Sequence, residues 1–207
     1  MAAYAHLASA GEAQPLQRVY LHARELAAPA HWTVRPSDLG PPVRAGVLWR
    51  GPGQVALTKT YRQHWAYFQV QAQRLYRLTT FLVNSPEAPE MDTPTYRGLA
   101  LFSFGLFFAC HEHFEELWRQ ASPQDRNFYQ GMVQLAAAFY HHEKGNRHGA
   151  VVLLRRAAGR LAGYRPQHRG LHVEPLLQEL ASWEARFAQG LQAPYAVLVP
   201  ARTQGTG

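Results

Sequence analysis

His111 and Glu115 stand one helical turn apart, and Phe104, Phe108 and Trp118 recur around them at steps of three and four. That pattern puts an imidazole and a carboxylate on the apolar face of a helix and turns both inward. Gln130, Gln134, Ala137 and His141 share one face of the following segment, beside an apolar face of Met132, Val133, Ala136, Phe139 and Tyr140. Withdrawing a carboxylate and two imidazoles from water is costly unless they meet each other or a cation. These groups, with Trp118, are therefore expected to form one buried polar cluster.

Three chemistries would satisfy such a set. In a structural network, Glu115 accepts hydrogen bonds from His or Gln across the helix interface and fixes the packing register. In a metal site, His111, Glu115 and His141 supply the two-His, one-carboxylate set used for Zn or Fe, with Glu112, His113 and His142 as further donors. That alternative makes the chain a metal-dependent, hydrolase-like enzyme. In an acid/base pair, a burial-raised Glu exchanges protons beside His111. The run His111-Glu112-His113-Phe114-Glu115 lacks the second His, four residues on, of the common zinc-protease helix. Cys110 points about 100° away from His111 on a helix and is expected as a small core residue.

The elements that must carry these residues are mainly helical. Pro94 to Phe104, Phe107 to Gln120, Ser122-Pro123 through Glu143, Arg147 to Leu161 and Glu174 to Gln189 each show helical periodicity. Ser122 as N-cap with Pro123 at the first helical position is a start signal, and Gly105 and Gly145-Asn146 mark breaks. Short connections imply antiparallel neighbours, so residues 93–190 are expected to form an antiparallel helical bundle or array. Residues 1–92 are expected to form an N-terminal α+β extension. It comprises a short helix between Pro15 and Pro29, a small hairpin of Val43 to Trp49 with Gln54 to Thr58, and a long helix with a seam through Tyr61, Trp65, Phe68, Ala72, Leu75, Thr79 and Leu82. The polar, proline-rich stretch Asn84 to Pro94 is the expected linker. In the tail, residues 191–207, Tyr195 to Val199 are expected as a strand returning to the hairpin.

At the polar residues the sequence also resembles a family. The blocks are Gly105-Leu-Phe-Phe-Ala-Cys-His111-Glu112-His-Phe-Glu115-Glu116-Leu-Trp118-Arg119, then Phe128-Tyr-Gln130-Gly131-Met-Val-Gln134-Leu-Ala136, Tyr140-His141 and Gly145-Asn146-Arg-His-Gly149-Ala150. From Pro94 to Leu180 the chain is similar to the bacterial and archaeal helical family called domain of unknown function 309. The resemblance implies an all-helical fold and, by position, signature residues at His111, Glu112, Glu115, Trp118, Gln130, Gln134 and His141. The family commonly has an acid two places before the His, where this chain has Ala109. No activity follows from the resemblance.

Of 207 residues, 21 are Lys or Arg and 14 are Asp or Glu, giving a net charge of +7, while 47% are hydrophobic. Such a chain has enough apolar surface to offset the entropy of ordering, which excludes wholesale disorder. A single cysteine excludes a framework of internal disulfides. The opening residues lack the basic and apolar regions of a secretion signal, and the uncharged stretch Gly98 to Cys110 is far short of the about 20 residues needed to span a bilayer. The expected location is cytoplasmic, with no membrane partner.

The positive charge gathers in two stretches. Arg44, Arg50, Lys59, Arg62, Arg74 and Arg77 lie where no acid occurs between Asp38 and Glu87, interleaved with Trp49, Tyr61, Trp65, Tyr67 and Tyr76. Arg155, Arg156 and Arg160 lie opposite the apolar face of Ala150, Leu153, Leu154, Ala157 and Leu161. Basic patches attract phosphates, and aromatic residues among them stack on unpaired bases. The expectation is a non-enzymatic helical binding protein that contacts nucleic acid or another polyanion and needs no cofactor. A divalent metal enters only in the enzyme alternative, and an adaptor using the helical hairpins as a groove is the third reading.

Overall fold

The computed structural model describes residues 48–51, 54–57, 59–84, 93–192 and 198. The helix expected between Pro15 and Pro29, the start of the first strand before Leu48 and the returning strand, apart from Leu198, lie outside the described residues. The chain divides into two compact units between Pro86 and Glu87. The described residues are mainly helical, and no helix among them is long and apolar enough to cross a membrane.

In the first unit, strand β1 (Leu48–Gly51) pairs antiparallel with β2 (Gln54–Leu57), Leu48 opposite Leu57 and Gly51 opposite Gln54. The ladder runs two residues further than expected, taking in Arg50 and Gly51, so that only Pro52 and Gly53 separate the strands. Two-residue connections are the ones whose twist matches a hairpin. A 3-10 turn, Lys59–His64, leads into helix α1 (Trp65–Asn84). Leu75 and Leu78 are buried on α1, while Ala66, Val70, Gln73 and Arg77 form an exposed stripe one helical turn apart.

In the second unit, helix α2 (Pro94–Ser103) starts where the Thr93 side chain accepts from the Tyr96 amide and Pro94 occupies the first turn. Gly105, at φ 76°, reverses the chain into α3 (Phe107–Gln120). The two helices touch at Gly98, where a Cβ would stand 2.4 Å from the Phe114 ring. Helix α4 (Pro123–Glu143) opens on Ser122, whose side chain accepts from the Asp125 amide, and Gly145, at φ 77°, follows its end. Asn146 then caps α5 (Arg147–Leu161) by accepting from the Gly149 amide. After the 3-10 turn Ala162–Tyr164, a short hairpin of β3 (Gln167–His168) and β4 (Leu171–His172) leads into α6 (Val173–Ala188).

Helix α6 buries Val173, Leu176, Leu180, Trp183 and Phe187, a strict three-and-four stripe. Trp183 and Phe187 meet Phe139 of α4 edge-on at 4.9 and 5.0 Å, and Phe139 meets Phe102 of α2 at 4.9 Å. Such pairs each add about 0.5–1.5 kcal/mol beyond their buried area, so this aromatic knot is what unites α2, α4 and α6. Leu198 returns from the tail to donate its amide to Ser103 Oγ at 2.9 Å.

Candidate functional site

Helices α3 and α4 run antiparallel, which sets the level of each polar residue. Arg126 stacks over the Trp118 ring at 5.1 Å, and one His111 ring nitrogen, Nδ1, donates to the Val133 carbonyl at 3.4 Å. His111 and Glu115 are not buried: their side chains are 31% and 33% exposed. The buried face of α3 is Phe107, Cys110 and Phe114. At 3.6 residues per turn, His111 and Glu115 lie roughly 70° and 100° round from its centre. They stand at the margin of the interface, within reach of water.

Their partners also differ from expectation. Glu115 is held by Arg119, one turn on, at 2.9 Å, with His111 Nε2 at 3.7 Å on the other side. Arg119 also reaches Glu116 at 3.3 Å, and Gln120 hydrogen-bonds Glu116. No amide or imidazole of α4 answers Glu115; its answer is a ladder of charges along α3 itself. His141 stands eight residues beyond Val133, about 12 Å along the α4 axis. Its Nδ1 accepts from the Asn146 side-chain amide at 2.8 Å. His111, Glu115 and His141 are therefore not brought together as a metal set. Among the described residues no group of three His, Cys, Asp or Glu could hold an ion. Gln130 and Gln134 are half-buried between α3 and α5, and neither Trp118 Nε1 nor Gln134 Oε1, both buried atoms, has a hydrogen-bond partner.

Cys110 is the core residue expected. It is fully buried, its Sγ donates to the Gly98 carbonyl at 3.4 Å, and burial pushes the thiol far above its ordinary range. Such a thiol is inert as a nucleophile.

The tightest polar assembly lies elsewhere, at the first turn of α4. The Asp125 side chain is only 7% exposed, and its carboxylate accepts four hydrogen bonds: His168 Nε2 at 2.7 Å, Arg169 Nε at 3.2 Å, Arg169 Nη2 at 2.5 Å and Ser122 Oγ at 3.0 Å. The Arg169 hydrogen bonds, aided by those of His168 and Ser122, hold the carboxyl well below its usual range against the opposing effect of burial. Arg169 occupies the turn of the β3–β4 hairpin at φ 49°, beside Gly170 at φ 79°. That left-handed conformation costs a non-glycine residue roughly 1–2 kcal/mol, and the two-pronged bond to Asp125 offsets it. The His168 ring packs edge-on to Phe128 at 4.8 Å and against Tyr164 at 4.6 Å, while Tyr164 donates to the Gln124 carbonyl at 2.8 Å. The knot clamps the start of α4 to a hairpin more than forty residues away. Nothing in the periodicity signalled it beyond the Ser122-Pro123 start, which places Asp125 in the first turn.

The basic residues separate in the same way. Arg155 is paired with Glu184 at 2.8 Å and Arg165 with Glu174 at 2.7 Å, so Arg155 is neutralised. Arg160 donates to Asn127 at 2.8 Å, and Arg156 is exposed. In the first unit Lys59, Arg62 and Arg77 are exposed, Arg74 is half-buried, and Arg44 and the Arg50 side chain lie outside the described residues.

Residues 96–153 match the family described as domain of unknown function (DUF309). The matched segment covers most of α2, all of α3 and α4 and the first half of α5, and so contains every residue of the charge ladder and the half-buried amides but neither His168 nor Arg169. The N-terminal half has no family match. The chain is also similar to an uncharacterised protein, YpuF, of Bacillus subtilis (strain 168), at 43% identity over 49 residues. The likeness covers 23% of this chain and 28% of that protein's length. No solved structure matches.

Proposed function

We propose that the protein is a helical binding protein whose first unit takes up single-stranded nucleic acid or a similar polyanion. The observation that carries this is the set of exposed cations in the first unit, two on the 3-10 turn and one on α1. Lys59 and Arg62 are exposed on the 3-10 turn and Arg77 on α1, Tyr67 is exposed near the start of α1, and no acid occurs between Asp38 and Glu87 to oppose them. Exposed cations neutralise phosphates, and an exposed aromatic ring offers a stacking surface for a base. The paired arginines of the second unit, Arg155 above all, contribute little to such a surface because Glu184 already occupies it. We place this binding in the cytoplasm, with no membrane partner; the lone, buried Cys110 supports a reducing compartment.

The test is titration of the full chain with single- and double-stranded DNA at several salt concentrations. Binding should weaken as salt rises, and the triple variant Lys59→Glu, Arg62→Glu, Arg77→Glu should lower the logarithmic salt slope on single strands by about 2, at about 0.7 per phosphate contact. Salt-independent binding, or an unchanged slope in the variant, rejects this function.

A further inference from the structure

We propose that α4, flanked by α3 and α5, floors a groove that binds an extended acidic peptide. Arg126, Val133 and Tyr140 on one flank of α4 meet Trp118, His111 and Phe108 of α3. On the other flank, Asn127 and Gly131 meet Arg160 and Leu161 of α5. At 3.6 residues per turn, Gln130, Gln134, Ala137 and His141 fall between those flanks, opposite the buried Phe128, Met132, Leu135 and Phe139. All four are half-buried, as the floor of a trough is and a solvent-facing ridge is not.

The floor carries amides where a bland surface would carry charge. Gln134 Oε1 is buried and has no hydrogen-bond partner, so it is an acceptor in want of an N–H, reached by a ligand once the side chain turns outward. An extended peptide backbone supplies N–H and C=O groups in alternation, which is what two primary amides one turn apart can read. From Gln130 to His141 the floor runs about 16 Å along the axis, the length of about five extended residues.

The charge on the walls selects the peptide. Arg126, Arg156 and Arg160 border the trough, and none of them has a carboxylate partner among the described residues, whereas Arg119, Arg155, Arg165 and Arg169 are all paired. On the opposite wall Glu115 is already held by Arg119, with His111 beside it, and Glu112 is an exposed acid beside them, against three cations. The trough therefore presents three cations without a carboxylate partner among the described residues above a floor that carries two amides, complementary to carboxylate side chains on an extended chain.

The groove can be probed in the full chain by two-dimensional amide NMR with three ligands: an acetylated (Glu-Ala)3 peptide, its neutral counterpart (Gln-Ala)3 and a thymidine hexanucleotide. The glutamate peptide is expected to shift the side-chain amide resonances of Gln130 and Gln134. Arg156→Glu with Arg160→Glu, and separately Gln134→Leu, should each weaken its binding at least tenfold. Gln130→Ala serves as the floor variant if Gln134→Leu disturbs the dispersion of the spectrum. The Lys59, Arg62 and Arg77 reversal that tests nucleic-acid binding should leave this peptide unaffected, so the two readings fail separately. The groove is overturned by any of four results: no shift at millimolar peptide, equal binding of the neutral peptide, tighter binding of the oligonucleotide at the same amides, or indifference to the floor substitutions, which would reduce the effect to net charge.

Discussion

Glu115 and Asp125 are both carboxylates answered by an arginine and a histidine, yet they sit in opposite circumstances. Glu115 takes both partners from its own helix, within one turn on either side, and keeps a third of its side chain in water. Asp125 takes them from a hairpin over forty residues away and is sealed almost completely. The contrast shows where ionic interactions do structural work in this chain. A pair formed within a helix survives unfolding as a local tendency and is screened by solvent, whereas one that joins distant segments exists only in the folded state.

The largest effect should come from breaking the distant cluster. Asp125→Ala removes four hydrogen bonds and leaves Arg169 in its left-handed conformation with nothing to offset it. We expect a loss of about 2–4 kcal/mol in urea unfolding, given the partial exposure of both cationic partners. Arg169→Ala should lose a smaller part of this, because His168 and Ser122 still reach the carboxylate. Unchanged stability in Asp125→Ala would make the knot incidental.

Acid should resolve the same comparison on a pH axis. Asp125 is more acidic when folded than when unfolded, so its stabilisation is present above the ordinary carboxylate value of about 3.9 and lost as pH falls below it. A separate limb lies higher. The His142 ring stacks on Phe187 at 3.8 Å, and neither ring nitrogen has a partner in hydrogen-bonding geometry. Burial lowers its pKa from 6.5, helped by the Arg147 charge and opposed by Glu143 and the Leu191 carbonyl. Folding thus favours neutral His142, and stability should fall as pH drops below 6.5 until the folded ring is itself protonated. His113, desolvated while donating to the Pro94 carbonyl at 2.7 Å, adds to this limb. His142→Phe should flatten the slope between pH 6.5 and 5 and leave the limb below pH 4 intact, whereas Asp125→Ala should do the reverse. Denaturant midpoints measured across pH for both variants decide it.

The same contrast governs what could be read before the fold was known. Each helix of the second unit carries its own instructions: Ser122-Pro123 opens α4, Gly145-Asn146 closes it, and the stripe from Val173 to Phe187 gives α6 to within a residue of its expected bounds. The inwardness of His111 and Glu115 was harder, because an apolar neighbour at each turn marks a broad face, and its centre proved to be Phe107, Cys110 and Phe114. The knot was illegible for a different reason. Arg169 and His168 lie in the sequence between the helical segments that end at Leu161 and start at Glu174, and no local periodicity encodes their meeting with Asp125.

The smallest expected effect sharpens the comparison most. Had Glu115 been enclosed among imidazoles and amides, its removal would have stranded buried charge at about 3–5 kcal/mol. With Arg119 more than half exposed and Glu115 a third exposed, Glu115→Ala should cost less than about 1 kcal/mol. A double-mutant cycle of Glu115→Ala with Arg119→Ala should return a coupling of about 0.3–0.5 kcal/mol, the value for an i,i+4 pair on a helix surface. It should shrink at high salt, as the coupling of Asp125 to Arg169 should not, because water and ions reach the first pair and the fold excludes them from the Asp125 carboxylate. A coupling above about 2 kcal/mol between Glu115 and Arg119 would mean that α3 turns these residues inward in solution, and the distinction between the two carboxylates would collapse.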